Sequence, residues 1–286
     1  MTSIRHLLLG LLATIGGAVG VLGKPPTEEE MAKIRAALPE RPQVPPKKAR
    51  RVLIFSLTKG FRHSAVECGA FALREMGKRS GAYEAEESVD PAVFGPDRLR
   101  RYDAVIFNNT SGQLFEEPER KEGLLSYVRG GGGIVGVHAA TDCFYEWPEF
   151  GEMMGGYFDG HPWHEEVAMR IEEPDHPVLA AFGGRTEFRV KDEIYQFKNP
   201  YSRSRLRVLI SLDTTKIDMT KKGIKRTDND FAVSWVRPYG RGRVFYCSLG
   251  HREEIFWNPV VLRHFLDGIQ FAIGDLQGPA EPRPGK

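Results

Sequence analysis

Gly130-Gly131-Gly132-Gly133-Ile134-Val135-Gly136-Val137-His138-Ala139-Ala140-Thr141-Asp142 is a glycine-rich turn feeding a short apolar strand that ends in a histidine. Ile134, Val135 and Val137 form an apolar run without polar alternation, the pattern of a central parallel strand covered on both faces. Ligands of open α/β sheets bind beyond the carboxyl ends of such strands, which is where His138 is placed. Gly136-Val137-His138-Ala139-Ala140 has the shape of a nucleophile elbow, with imidazole where a serine or thiol would stand. An ordinary nucleophile-elbow enzyme is therefore not expected.

Outward from this strand, the pattern alternates strand with helix. Arg51–Leu57 and Tyr102–Asn108 read as buried strands, and Tyr83–Val89 as a less buried one. Ser64 is expected to cap a helix running to about Ser80, and Pro118 to open a helix that ends at the Gly130–Gly133 run. The second half is richer in strands, with candidates at Glu166–Ile171, Thr186–Val190, Arg207–Leu212, Phe231–Val236 and Arg243–Ser248. Asn258-Pro259 then starts a last helix with Val261, Leu262, Phe265, Ile269 and Ala272 on its apolar face. This order predicts an α/β fold with a doubly wound, mostly parallel, flavodoxin-like sheet and a strand-rich second half.

The ends of the chain read differently. Arg5 and the apolar run Leu7–Leu22, closing on small residues, predict a signal peptide over residues 1–23, cleaved after Gly20 or Gly23, and hence export to the periplasm or beyond the cell. The run is shorter than the ~20 residues of a spanning helix and is diluted by glycine, so no integral membrane span is expected. Residues 24–50 should form a short helix, opened by the capping box Thr27-Glu28-Glu29-Glu30, and a proline-rich linker. The domain is expected over residues 51–274, followed by a disordered tail at 275–286. About 235 residues of ordered sequence suffice for one large α/β domain.

A formal net charge of +2, with acids and bases mixed throughout, predicts no nucleic-acid partner. Cys68, Cys143 and Cys247 are scattered and odd in number, so a disulfide framework is not expected and free buried thiols are the favoured reading. Cys143 lies five residues past the elbow's histidine, which favours an inert thiol over a nucleophile.

His63, His138, His161, His164, His176 and His251 all fall in predicted loops or strand ends. Neutral imidazoles would suit a divalent transition metal such as zinc, and neighbouring carboxylates would draw in manganese. His251 follows Leu249-Gly250 at the end of the last apolar strand, which makes it the best partner for His138. His161-Pro162-Trp163-His164 could supply two ligands only if Pro162 turns the chain; otherwise one histidine is functional and the other lies on the surface. His176, in Pro174-Asp175-His176-Pro177, reads as a turn residue. Asp192-Glu193 could provide a general base or ligand, or be a solvated pair. Trp147, Tyr157, Phe158, Trp163, Tyr195 and Trp257 lie in the same segments as these polar groups, as in a sugar cleft, or else form loop core.

Six motifs then resemble one family. They are Gly132-Gly133-Ile-Val-Gly-Val-His138-Ala-Ala-Thr141, Gly155-Gly156-Tyr-Phe-Asp-Gly-His161-Pro, Pro174-Asp175-His176-Pro177, Asp192-Glu193-Ile-Tyr195, Trp235-Val-Arg-Pro-Tyr-Gly240-Arg-Gly242-Arg-Val and Leu249-Gly250-His251. Their order and spacing, over about Val52 to Ala272, resemble the ThuA-like, trehalose-utilisation family. The resemblance implies a class I glutamine amidotransferase-like fold and a link to sugar catabolism, including oxidised (keto) disaccharides. It implies no glutaminase activity, since His138 occupies the amidotransferase cysteine position. The family's recurring histidines map onto His63, His138, His161, His176 and His251, and its acid onto Glu193.

The expectation is an exported enzyme acting on a glycoside or keto-sugar, by metal-assisted or histidine and carboxylate acid–base chemistry. His138, His251 and Glu193 are the candidate catalytic residues, with His138, His161 and His251 as candidate metal ligands. Trp163, Tyr195, Asn108 and Asp142 are expected to bind the carbohydrate, and no nucleotide cofactor is expected. The alternative is a non-catalytic carbohydrate-binding or interaction module on the same fold.

Overall fold

The computed structural model describes residues 23–283, so the expected signal segment, apart from Gly23, lies outside the described residues. In chain order the elements are α1 (Glu28–Ala37), β1 (Arg51–Phe55), α2 (Val66–Ser80), β2 (Glu84–Ser88), α3 (Pro96–Leu99), β3 (Ala104–Asn108), α4 (Pro118–Arg129), β4 (Gly133–Val137), α5 (Pro148–Met154), β5 (Tyr157–Phe158), β6 (Trp163–Ile171), β7 (Glu187–Ile194), β8 (Phe197–Lys198), β9 (Arg207–Leu212), β10 (Ala232–Tyr239), β11 (Gly242–Cys247) and α6 (Pro259–Ala272). Short 3-10 turns join several of them.

Nine strands form one sheet in the order β2-β1-β3-β4-β11-β10-β9-β6-β7, and β5 pairs separately with β8. The pairings from β2 to β11 are parallel, whereas β10, β9, β6 and β7 continue the sheet antiparallel. The sheet is thus mixed, in an α/β arrangement consistent with a flavodoxin-like fold. The four antiparallel steps from β11 to β7 reverse direction an even number of times. The C-terminal end of β7 and the start of β6 therefore lie at the same sheet end as the C-terminal ends of β1, β3, β4 and β11.

Strand alternation divides the apolar side chains between the two faces of the sheet. Val52, Ile54 and Ile106 pack with Ile34 of α1, Leu73 of α2 and Leu262 of α6. Leu53, Phe55 and Phe107 face the other way, onto Leu124 of α4 and Phe150 of α5. β4 is buried at every residue because both faces are covered. Gly136 permits this packing, since a Cβ there would lie 2.7 Å from the Tyr246 ring and 2.8 Å from Met154 Sδ.

Local chemistry sets several element ends. Thr27 and Glu30 form the expected capping box. Asn258 accepts from the backbone N–H groups of Val260 and Val261 to start α6, a cap that contributes about 1 kcal/mol. Ser64 does not cap α2 as expected: Ala65 occupies the N-cap and no side chain bonds there. The turn at residues 63–65 instead directs His63 inward, where it is buried. β6 and β7 are each longer than expected, so His164, Asp192 and Glu193 belong to ladders and not to loops.

Residues 275–283, expected as a disordered tail, lie against the domain. Arg50 pairs with the fully buried Asp275 carboxylate, and Arg283 reaches Glu172. The linker is anchored as well, because Gln270 exchanges bonds with the backbone of Gln43 and Val44. No helix among the described residues is long and apolar enough to cross a membrane.

Candidate metal centre

His138 follows β4 directly and takes φ 49°, a left-handed conformation unusual for a side chain larger than glycine. Tyr246 of β11 holds the strained turn, its hydroxyl donating to the His138 carbonyl at 2.7 Å and lying 3.1 Å from Thr141 Oγ1. The conformation aims the imidazole across the sheet end, and the ring is fully buried. Nδ1–H donates to the Ser248 carbonyl at 2.6 Å. That bond fixes the neutral tautomer and leaves the Nε2 lone pair pointing into the cavity.

Side chains from three further strand ends surround that lone pair. His63 Nε2, from the loop after β1, is 3.1 Å from it, and the Tyr195 hydroxyl, just past β7, is 3.0 Å away. Glu193 Oε1 is at 3.8 Å, and His251 Nδ1, beyond β11, is 3.1 Å from Glu193 Oε2. The His138 and His251 rings lie 5.5 Å apart, so the two histidines converge at one end of the sheet. One ligand atom from each of His63, His138, Glu193 and His251 falls within 4.8 Å of the others.

Asp192, beside Glu193, has a separate task. Its fully buried carboxylate accepts from the backbone N–H groups of Gly250 (2.7 Å), His251 (3.4 Å) and Arg252 (3.0 Å). It therefore fixes the loop that carries His251. Gly250 adopts φ 133°, and its carbonyl accepts from Asn109 Nδ2, which tightens the same turn.

The electrostatics follow from burial. Desolvation lowers His63 and His251 to about 4 and His138 well below its usual value. Desolvation first, then the nearby Asp192 and Asp142 charges, raises Glu193 to about 8. Burial thus favours the neutral form at His63, His138 and His251 and opposes the charged form at Glu193.

A cavity of about 390 Å³ opens over this cluster, lined by Phe61, Asp142, Phe158, His161, His164 and Tyr195 with three of the four cluster residues. Phe61 stands 66 % exposed at its mouth. Asp142 and Tyr195, two of the residues expected to bind carbohydrate, line this cavity. Two other expected contacts are corrected. Trp163 is fully buried, donating to the Asp218 carbonyl at 2.9 Å and packing edge-on against Phe231. It shares the inward face of β6 with Val167, Met169 and Ile171, so strand alternation turns it away from the cavity. Asn108 lies beneath the site, where Nδ2 donates to Ser56 Oγ and the Val66 carbonyl and ties β3 to the start of α2.

His161 and His164 do come together, with rings 5.0 Å apart. The chain bends at Gly160 (φ 112°), so His161 precedes the strand and escapes its alternation. With Glu193 they form a second set of three close ligand atoms, which shares that carboxylate with the buried set. His176 is structural, accepting from the Val178 N–H at 3.2 Å, with Nε2 2.8 Å from the Pro279 carbonyl. The three cysteines are free and buried, and burial pushes the Cys143 thiol far up, away from nucleophilic use. His63, His164 and Glu193 of the two sets lie outside the expected ligands His138, His161 and His251, although the sequence offered His164 beside His161 and Glu193 as a base or ligand. The signal for His164 was the Trp163/Val167/Met169 period, which assigns it to the opposite face.

Residues 51–272 match the ThuA family, described as trehalose utilisation. No curated protein matches the sequence. Among solved structures, one described as a ThuA-like protein from Bacteroides uniformis is 24% identical with a TM-score of 0.65, covering 80% of this chain and 94% of its own. Another described as ThuA-like, from Parabacteroides merdae, is 21% identical with a TM-score of 0.62, covering 82% of this chain and 98% of its own. At these identities the two likenesses establish the fold.

Proposed function

The chain belongs to the ThuA family, and from that premise we propose an enzyme acting on a glycoside or keto-sugar through a divalent transition metal held by His63, His138, Glu193 and His251. One observation carries the reading: four ligand atoms from four separate strand ends meet within 4.8 Å at the floor of a cavity. The donor set also fits a metal in detail. The His138 Nε2 lone pair is presented by a carbonyl on the far side of the ring, the usual outer partner of a ligating imidazole. His251 Nδ1 is buried without a hydrogen-bond partner, a cost that ligation would remove. Three nitrogens and a carboxylate suit zinc, manganese or a similar ion.

Such an ion would polarise a sugar carbonyl or hydroxyl oxygen as a Lewis acid. The chain's own groups supply the rest. Asp142, outside both ligand sets but lining the cavity, is placed to move a proton, and the Tyr145 hydroxyl donates to it at 2.5 Å. Phe61 and Phe158 offer ring surfaces for the C–H faces of a sugar, backed by the buried Tyr195 ring against Phe158.

The test is elemental analysis of the purified protein together with turnover on a panel of glycosides and keto-glycosides. A stoichiometric transition metal and metal-dependent turnover are expected. Glycan binding with neither metal nor turnover would favour the binding-module reading. The proposal includes export, on the strength of the Arg5–Leu22 segment. Intact-mass measurement on protein from its native cell is expected to find a chain starting between Val21 and Lys24; a chain retaining Met1–Gly20 would refute export by cleavage.

A further inference from the structure

We propose that Glu193 bridges two divalent cations, the second held by His161 Nδ1, His164 Nε2 and the Glu193 carboxylate at the solvent side of the cavity. The inference rests on the metal reading of the buried set and adds a second site to it. His161 Nδ1 lies 3.5 Å from Glu193 Oε2, and His164 Nε2 contacts the same oxygen. The three ligand atoms fall within 4.8 Å of one another. His138, at the floor, faces the other oxygen, Oε1. His251 Nδ1 of the inner set also reaches Oε2, at 3.1 Å, so nitrogen donors of both sets meet on this one carboxylate, which lies between them as a bridge would.

The backbone holds this outer set in place. His164 and Glu193 are direct partners in the β6–β7 ladder, so their side chains share one face of the sheet. His161 is braced by the stacked Phe158 ring, 5.8 Å away with 14° between the planes. The His161 and His164 side chains are each nearly half exposed, whereas Glu193 is buried. An ion there would keep several open positions toward the cavity, while the inner ion would face the cavity only on the side that His63, Glu193 and His251 line.

This arrangement narrows the substrate class. Paired ions in catalytic sites sit ~3.5–4 Å apart and clamp two oxygens of one substrate. The matching group is a pair of oxygens on adjacent carbons, as in an α-hydroxy ketone or a vicinal diol of a sugar ring. One oxygen would meet each ion, and the aromatic wall would take the ring face.

Full-length protein, stripped with chelator and reloaded with Mn(II), provides the test. The wild type is expected to retain two Mn per chain, with the six-line spectrum of isolated Mn(II) replaced by that of an exchange-coupled pair. His161→Ala/His164→Ala should retain one, with the isolated spectrum restored. Both histidines are half exposed, so this variant should fold; if it does not, the wild-type spectrum decides alone. One uncoupled Mn in the wild type, unchanged in the variant, would overturn the second site while leaving the inner site standing. Two uncoupled Mn would overturn the bridge. No retained Mn, nor Zn(II) or Co(II) in parallel, would overturn the inner site and the bridge together.

Discussion

His251→Ala is expected to lower turnover by roughly 10²- to 10³-fold and to release the inner metal, while changing the stability of the metal-free protein by less than about 1 kcal/mol. Loss of an outer partner of a ligand costs about 10- to 100-fold, and loss of the ligand itself should cost more. The stability expectation has a separate basis. The His251 side chain is a quarter exposed, and its Nδ1 is buried without a hydrogen-bond partner. Truncation therefore opens no closed core cavity and, in the metal-free protein, removes a desolvated group that nothing satisfies. His138 is a less clean probe, being fully buried at φ 49°, so that removing its ring would disturb packing and site together. Metal content and turnover of the purified protein, and thermal melts of the chelator-stripped wild type and variant, check the prediction. A variant that keeps its metal but melts early would make His251 a structural residue.

Asp192→Ala should be the most damaging single truncation near the site, costing about 3 kcal/mol or more. The carboxylate satisfies three backbone donors of the 250–252 loop. The buried Gly250 donor left unpaired costs roughly 1–3 kcal/mol, and the half-buried His251 and Arg252 donors add less. Since that loop carries His251, metal affinity should fall along with stability. Asp192→Asn keeps one carbonyl oxygen as acceptor and should recover part of both losses, the signature of a positioning role. Urea denaturation and metal titration of the two variants decide it. If Asp192→Ala is as stable as the wild type, the loop is held by other contacts.

Much of the fold was legible in local pattern. The apolar runs at β1, β3, β4 and β11, the Pro118 and Asn258-Pro259 helix starts and the strand-end position of His138 all depend on residues within one element. The convergence of His138 with His251 followed because both strands belong to the parallel block. Glu193 was harder to place. Its arrival at the same end depends on the directions of β10, β9, β6 and β7, which are set by long-range pairing that no short window encodes. Trp163 failed for a different reason. Its aromatic character suggested a sugar contact, but the two-residue period through Val167, Met169 and Ile171 placed it in the core and gave the cavity to His164. His63 carried no periodic signal, because it sits in a loop whose path depends on the turn before α2.

The distribution of the inner cluster over the chain ties it to the order of folding. Its members are 75, 55 and 58 residues apart along the sequence, and Glu193 stands on β7, the last strand at one edge of the sheet. Closing such long loops is slow, so the four side chains can meet only after both halves of the sheet have docked. No fragment lacking β7 contains the cluster, and a nascent chain has no site until residue 251 has left the ribosome. An ion that binds only the finished arrangement would pull the folding equilibrium forward by mass action. Metal supply would then act as a checkpoint on the maturation of this protein, separating fully assembled molecules from those whose edge strand has yet to join.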